Sequence, residues 1–297
     1  MKKKIFLVSM AAAFSTMIIP CSGAAENNTG YQPSLYFKPI ETDEAQVLKN
    51  GTVYVNSSLL TGKNNSFNAE VYIDDDQKQA GHIIAKWKCE SEHIALGNLT
   101  DPITLYGKSP YEDFSTPSSI PLTEYPELNR QYVSYPNLTE LIFVLTGENS
   151  DDYPLAGFSA TVDSKTPAGR YEVEFMSGES GAQCEILYKY GKNNPSFKEF
   201  FPTGEYAKPM NINISDRMLG DIDNNGIITG SDATMILAAY TNISSSGDSK
   251  LTKEQEIAAD IDADGIITGS DATLLLRYYT ALSSGEKLSV YDYFLEN

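Results

Sequence analysis

The sequence predicts two unlike domains: an all-β, jelly-roll-type sandwich over residues 30–215 and a small all-α module over 216–297, behind a leader over 1–25. Three observations carry this. Stretches that alternate apolar and polar residues recur up to about residue 215 and then stop. An acidic, glycine-centred phrase appears twice near the C-terminus, "DIDNNGIITGSDAT" (Asp221–Thr234) and "DIDADGIITGSDAT" (Asp260–Thr273), 39 residues apart. Each copy runs straight into an apolar, helix-compatible segment.

The strand-like stretches are "GTVYVNSSLL" (Gly51–Leu60), "AEVYI" (Ala69–Ile73), "GHIIAKWKC" (Gly81–Cys89), "ELIFVLTG" (Glu140–Gly147), "GRYEVEFMSG" (Gly169–Gly178) and "CEILYKYG" (Cys184–Gly191). They are rich in Val, Ile, Tyr and Phe and are bounded by Gly, Asn, Asp and Pro, which is how a two-sheet sandwich reads. The Pro-, Ser- and Tyr-rich segment Asp101–Asn137 interrupts them as a long loop. After Asp216, "TMILAAYTN" (Thr234–Asn242) and "TLLLRYYTAL" (Thr273–Leu282) read as helices. Between them, Thr252 with Gln255 three residues on spells a capping box for a middle helix. The tail places Leu288, Val290, Tyr291 and Phe294 after the last of these helices, either folded back over apolar surface or as a loose terminus.

The ends and the composition bound the function. Lys2, Lys3 and Lys4 precede the apolar run Ile5–Ile19, Pro20 and the small residues Ser22–Ala25, the layout of a cleaved secretory leader. That run is shorter than the roughly 20 residues a spanning helix needs. Cys21 leaves a lipoprotein reading open. An exported protein follows. A formal charge of -18 argues against nucleic acid and anionic membranes as partners. It suits an extracellular protein that binds divalent cations. Cys89 and Cys184 either pair or remain as buried thiols.

Counted from its first Asp, the first acidic phrase places Asp221, Asp223 and Asn225 at positions 1, 3 and 5, Gly226 at 6, Ile227 at 7, Thr229 at 9 and Asp232 at 12. The second puts Asp260, Asp262, Asp264, Gly265, Ile266, Thr268 and Asp271 in the same slots. This is the ligand spacing of an EF-hand loop, with Asp in place of Glu at position 12. Alternate carboxylates and amides point at a hard cation, the glycine allows the sharp turn, and the position 7 carbonyl needs no particular side chain. Thr229 and Thr268 act through the hydroxyl or a bridging water. Oxygen-only donors favour Ca²⁺ over zinc, and Mg²⁺ resists such dehydration. Acidic turns alone explain one such loop, but scarcely two with every slot filled. Two Ca²⁺ ions are expected. Seven Asp residues in two loops repel one another, so the module is expected to be largely disordered without the cation.

Before Asp221, "NINISDRMLG" leaves no room for an entering helix. A tandem of loop-plus-one-helix units resembles the type I-like dockerin module of cellulosomes, over Asp216 to about Leu282. Gly220 matches the glycine that precedes the first Asp in that family, and Ala259 replaces it in the second repeat. The resemblance implies Ca²⁺-dependent docking onto a cohesin module of a scaffoldin. It places partner contacts at Gly230, Ser231, Leu237 and Ala238 in the first repeat and at Gly269, Ser270, Leu276 and Arg277 in the second. Repeat identity at these slots implies docking in either of two orientations, with Ala238 and Arg277 as the difference. Core packing between helices suits Leu237 and Leu276 at least as well as partner contact.

The β domain would then be the cargo. "PLAGFSATVDSKTPAGRYEVEF" (Pro154–Phe175) and "AEVYIDDDQKQAGHIIAKWKCESEHIALGNL" (Ala69–Leu99) resemble cohesin strands, although Trp87-Lys88-Cys89 stands where a cohesin has Tyr-Asp. This implies a non-catalytic adaptor scaffoldin in plant polysaccharide degradation, secreted and held at the cell surface through a scaffoldin. A carbohydrate-binding module and a small glycoside hydrolase or esterase are the alternatives. Nineteen Tyr and the lone Trp87 offer stacking platforms, but in strands they read better as core. His82 and His93 sit in no catalytic setting, there is no G-x-S-x-G elbow or H-E-x-x-H, and no catalytic residue is assigned. Asp74, Asp75 and Asp76 read as a solvated turn rather than a further cation site.

Overall fold

Alternation along the strands resolves into two facing sheets. The computed structural model describes residues 32–60, 65–75, 80–100, 138–144, 156–162, 165–177, 184–190 and 196–296. The expected leader with Cys21, the Asp101–Asn137 segment and Asp76 lie outside the described residues. One sheet is antiparallel, in the order β1 (Ser34–Ile40), β4 (Asn65–Asp74), β8 (Ala156–Val162), β6 (Ile94–Thr100). The other runs β11 (Ser196–Phe200), β10 (Glu185–Tyr190), β5 (Ala80–Cys89), β9 (Gly169–Phe175), β12 (Met210–Ser215), β3 (Val53–Asn56), β2 (Ala45–Val47). β7 (Leu138–Val144) pairs with β5, and β12 pairs with β3 in parallel.

The sheets meet through their inward faces. Phe37, Phe67, Val71, Phe158 and Ala160 of one sheet share a cluster with Val53, Ile83, Trp87, Phe175, Ile186 and Ile212 of the other. Phe37 stacks on Phe175 across that layer, at 4.1 Å between ring centroids. Trp87 is fully buried with its indole Nε1 unpartnered, so it packs the core and offers no sugar platform. Cys89 and Cys184 are separate buried thiols, and Cys184 Sγ accepts the Lys86 N–H and donates to its carbonyl, 3.2 Å each. Gly51–Leu60 is shorter as a strand than its alternation suggests. Asn56 Oδ1 accepts the Ser58 N–H and turns the chain into one 3-10 turn at Ser57–Leu59.

After β12 the chain becomes helical: α1 (Gly230–Ser246), α2 (Lys253–Ala259), α3 (Gly269–Ser283) and α4 (Val290–Glu296). α1 and α3 begin earlier than apolar periodicity indicates, because Thr229 and Thr268 are N-caps in complete capping boxes with Asp232 and Asp271. Thr252 and Gln255 form the capping box of α2. The tail folds back as α4, with Val290, Tyr293 and Phe294 buried and Tyr293 5.3 Å from the Tyr278 ring.

The helical core is Leu219, Ile222, Ile236, Ala239, Ile257, Ile261, Leu275 and Tyr278, and it includes Leu48 and Tyr54 from the β region. Tyr54 is wholly buried, lies 5.8 Å from Tyr291 of α4 and donates to the Arg217 carbonyl. Ser215 Oγ donates to the Glu254 carbonyl at 3.1 Å. The two halves therefore share apolar contacts and hydrogen bonds.

Gly220 differs from Ala259 for a steric reason. Its φ of 84° is left-handed, and a Cβ there would stand 2.6 Å from Leu275 Cδ1. Ala259 ends α2 and needs neither freedom. Gly220→Ala is expected to cost about 2–4 kcal/mol, from left-handed strain plus overpacking. Urea unfolding of the variant measures it, and a loss below about 0.5 kcal/mol would contradict this account.

Candidate metal centres

Each acidic phrase closes on itself through its carboxylates. In the first loop Asp232 Oδ1 accepts the Ile222 N–H at 3.0 Å, and Oδ2 accepts the Thr229 N–H at 2.9 Å. The second loop repeats this at 2.8 Å each, from Ile261 N–H to Asp271 Oδ1 and from Thr268 N–H to Asp271 Oδ2. The position 12 carboxylate thus ties the start of the loop to the first turn of the following helix. Thr229 Oγ1 and Thr268 Oγ1 accept the Ser231 and Ser270 N–H groups and lie 3.2 Å from Oδ2 of Asp232 and Asp271.

The position 1 carboxylates set the inner turn. Asp221 Oδ2 accepts the Gly226 N–H at 2.8 Å and Oδ1 accepts the Asn225 N–H at 3.0 Å. Asp260 Oδ2 accepts the Gly265 N–H at 3.0 Å. Gly226 and Gly265 have φ of 83° and 92°, so the position 6 glycine is required by backbone shape. Asn225 Oδ1 and Asp264 Oδ1 accept the Ile227 and Ile266 N–H groups, which leaves those isoleucine side chains exposed.

Asp221, Asp223 and Asp232 bring carboxylate oxygens within 4.8 Å of one another, as do Asp260, Asp262 and Asp264. Asp221, Asp232, Asp260 and Asp271 are buried. Burial pushes the Asp271 carboxyl up to about 6, against the lowering effect of the Thr268 and Ile261 N–H groups. Burial, and next the adjacent Asp264, raises Asp262 as well. Such crowding of acids, four of them buried, calls for a counter-cation. Asp260 Oδ1 sharpens the case: it is buried without a hydrogen-bond partner, on a residue of the loop's carboxylate cluster. An oxygen-only donor set with a free buried carboxylate oxygen fits a hard divalent cation.

The eight residues expected at a partner face stand at the surface of the first turns and outer faces of α1 and α3. Ser231, Ala238, Ser270 and Arg277 are exposed, and Gly230 and Gly269 are half-buried. Leu237 is 44% exposed and Leu276 41%, so neither packs between the helices; Ile236 and Leu275 do. Tyr240 and Tyr279, one turn further on, are also exposed large side chains. Each helix therefore carries a Leu–Tyr pair on its outer face, three residues apart, where helical geometry makes them neighbours.

Sequence reasoning missed the β-domain residues at the second loop. Arg170 Nη2 donates to Asp260 Oδ2 at 2.8 Å, and Asn50 Nδ2 donates to the Asp262 and Ala263 carbonyls at 3.1 and 3.0 Å. The repeats did carry a signal. They differ at Asn224/Ala263 and Asn225/Asp264, so the second loop has one carboxylate more and two side-chain amides fewer.

One family model spans both acidic loops. The dockerin type I domain family matches residues 219–279. No curated protein matches the chain. Among solved structures the chain is similar to one from a type I cohesin–dockerin complex of Clostridium thermocellum (Coh-OlpA-Doc918), at 9% identity and a TM-score of 0.33, covering 60% of this chain and 98% of that one. It is also similar to the seventh ScaB type I cohesin of Pseudobacteroides cellulosolvens, at 13% identity and 0.33, covering 53% and 88%. A type III cohesin of the ScaE scaffoldin of Ruminococcus flavefaciens gives 10% identity and 0.33, covering 62% and 88%. Two acidic loops, each running into a capped helix, thus lie within the residues that the dockerin type I domain family matches.

Proposed function

We propose that the chain is a secreted, cellulosome-associated protein whose dockerin module holds two Ca²⁺ ions and docks on a cohesin of a scaffoldin. The observation that carries this is the pairing of each acidic loop with an exposed Leu–Tyr face, Leu237 and Tyr240 in one repeat, Leu276 and Tyr279 in the other. Asp221, Asp223, Asn225 and Asp232, with Thr229 and the Ile227 carbonyl, would hold one ion. Asp260, Asp262, Asp264 and Asp271, with Thr268 and the Ile266 carbonyl, would hold the other. The cation neutralises the loop carboxylates and fixes the first turns of α1 and α3, which presents Gly230, Ser231, Leu237 and Ala238, or Gly269, Ser270, Leu276 and Arg277, to the partner. The β-sandwich is read as non-catalytic, cohesin-like cargo, on the likeness of the Pro154–Phe175 and Ala69–Leu99 stretches to cohesin strands. No described helix is long and apolar enough to cross a membrane.

The test is binding of the intact protein to a panel of cohesins with and without Ca²⁺. Leu237→Asp and Leu276→Asp should each leave binding within about tenfold, because the other repeat still docks. The double variant should lose at least about 100-fold, as expected when desolvated anchors of an interface are charged. Absence of Ca²⁺-dependent capture, or undiminished capture by the double variant, would refute the docking face. The double variant, offered to dockerin-bearing proteins and to insoluble plant polysaccharide, then reports what the sandwich retains.

A further inference from the structure

We propose that the β-sandwich is a working part of the second cation site. Arg170 and Asn50 hold that loop in its binding shape before the cation arrives and, from outside the helical module, set its affinity. The proposal rests on the reading of both loops as Ca²⁺ sites.

Charge is the first ground. The first loop contains three carboxylates, Asp221, Asp223 and Asp232, whereas the second contains four, Asp260, Asp262, Asp264 and Asp271. The second is also the loop a guanidinium reaches. Arg170, on β9, places Nη2 2.8 Å from Oδ2 of Asp260, which is fully buried. One positive charge offsets the additional Asp, so the two loops present the same net charge of about -3 to a cation. The contact leaves Asp260 Oδ1 free, because Arg170 and the Gly265 N–H both take Oδ2. In the first loop Asp221 spends both oxygens on N–H groups of its own loop.

Backbone shape is the second ground. Position 4 is left-handed in both loops, with φ of 58° at Asn224 and 54° at Ala263. Asn visits that region with little penalty, and Ala does not. The second loop is thus intrinsically worse at this position. There the Asn50 amide donates to the carbonyls of Asp262 and Ala263. The Asn50 side chain is itself fixed in the β2–β3 connection, where its Oδ1 accepts the Thr52 N–H at 3.0 Å. An amide from the β domain braces the turn where this repeat has Ala in place of Asn.

The two residues act on affinity with opposite sign. Arg170 keeps the metal-free loop from flying apart, yet its charge opposes the incoming cation. Asn50 carries no charge, and its brace favours the bound shape alone. The experiment follows the amide resonances of Gly226 and Gly265 in the intact, labelled protein during Ca²⁺ titration, together with their hydrogen exchange in chelator. In the unaltered protein Gly265 should be protected without calcium and Gly226 should not. Arg170→Met should abolish that protection and move the Gly265 midpoint to roughly tenfold lower Ca²⁺. Asn50→Ala should abolish it and move the midpoint several-fold higher, and adding Ala263→Asn should restore it. The Gly226 midpoint should stay put throughout. Unchanged Gly265 behaviour in Arg170→Met, or equal movement of both glycines, overturns the proposal. If neither glycine responds to Ca²⁺ in the unaltered protein, the cation reading itself falls and takes this one with it.

Discussion

Chelating divalent cations from the intact protein is expected to lower the melting temperature of the helical module by about 30 °C or more, with a smaller effect on the β-sandwich. Each site at about 1,000 times its Kd in free Ca²⁺ contributes about 4 kcal/mol. For a unit of this size, 1 kcal/mol corresponds to about 4–8 °C. The physical source is the crowding of Asp221, Asp223 and Asp232, and of Asp260, Asp262 and Asp264, with their oxygens within 4.8 Å. Circular dichroism in calcium and in chelator reads the helices directly. α1 should be lost ahead of α3, because the first loop has no guanidinium among the hydrogen bonds described at its position 1 carboxylate. Superimposable melts in the two conditions would remove the structural role of the cation.

The second large effect separates binding from folding within one loop. Asp232 is fully buried and accepts N–H groups from Ile222, Asp223 and Thr229, the last of which completes the capping box of α1. Asp232→Ala is therefore expected to cost about 3–5 kcal/mol even in chelator, from several unpaired donors and a lost cap. Asp223 is exposed. Asp223→Ala should leave metal-free stability within about 0.5 kcal/mol yet abolish cation binding at the first loop. Denaturant unfolding in chelator and calcium titration of the two variants make the comparison. Equal losses in both assays would mean that the loop's carboxylates do not divide the work as its hydrogen bonds imply.

The candidate site was the most legible part of the sequence because its chemistry is local. Ligand spacing, the position 6 glycine and the Thr caps all act within a dozen residues, and the chain spells them twice. The outer helix faces were half legible. Leu237 and Leu276 read equally well as core, and only the burial of their neighbours Ile236 and Leu275 decided it. What stayed hidden depends on pairing across long separations. Asn50 meets residues more than 200 positions away, and Arg170 meets Asp260 across 90. The parallel pairing of β12 with β3 joins Ile212 to Val53, and no alternation pattern distinguishes it from a hairpin. The tail's return as α4 likewise depends on Tyr54 and Tyr278 being there to receive it. Periodicity finds elements, whereas their neighbours are chosen by surfaces the sequence does not print side by side.

Only residues 216–220 lie between the end of β12 and the first acidic loop, and Tyr54, Arg170, Asn50 and Ser215 grip the helices from the sheet side. The connection is a bracket, not a tether. Whatever the helical face holds inherits a fixed bearing toward the sheets, so two bodies carried by this chain would meet at one angle instead of sweeping a volume.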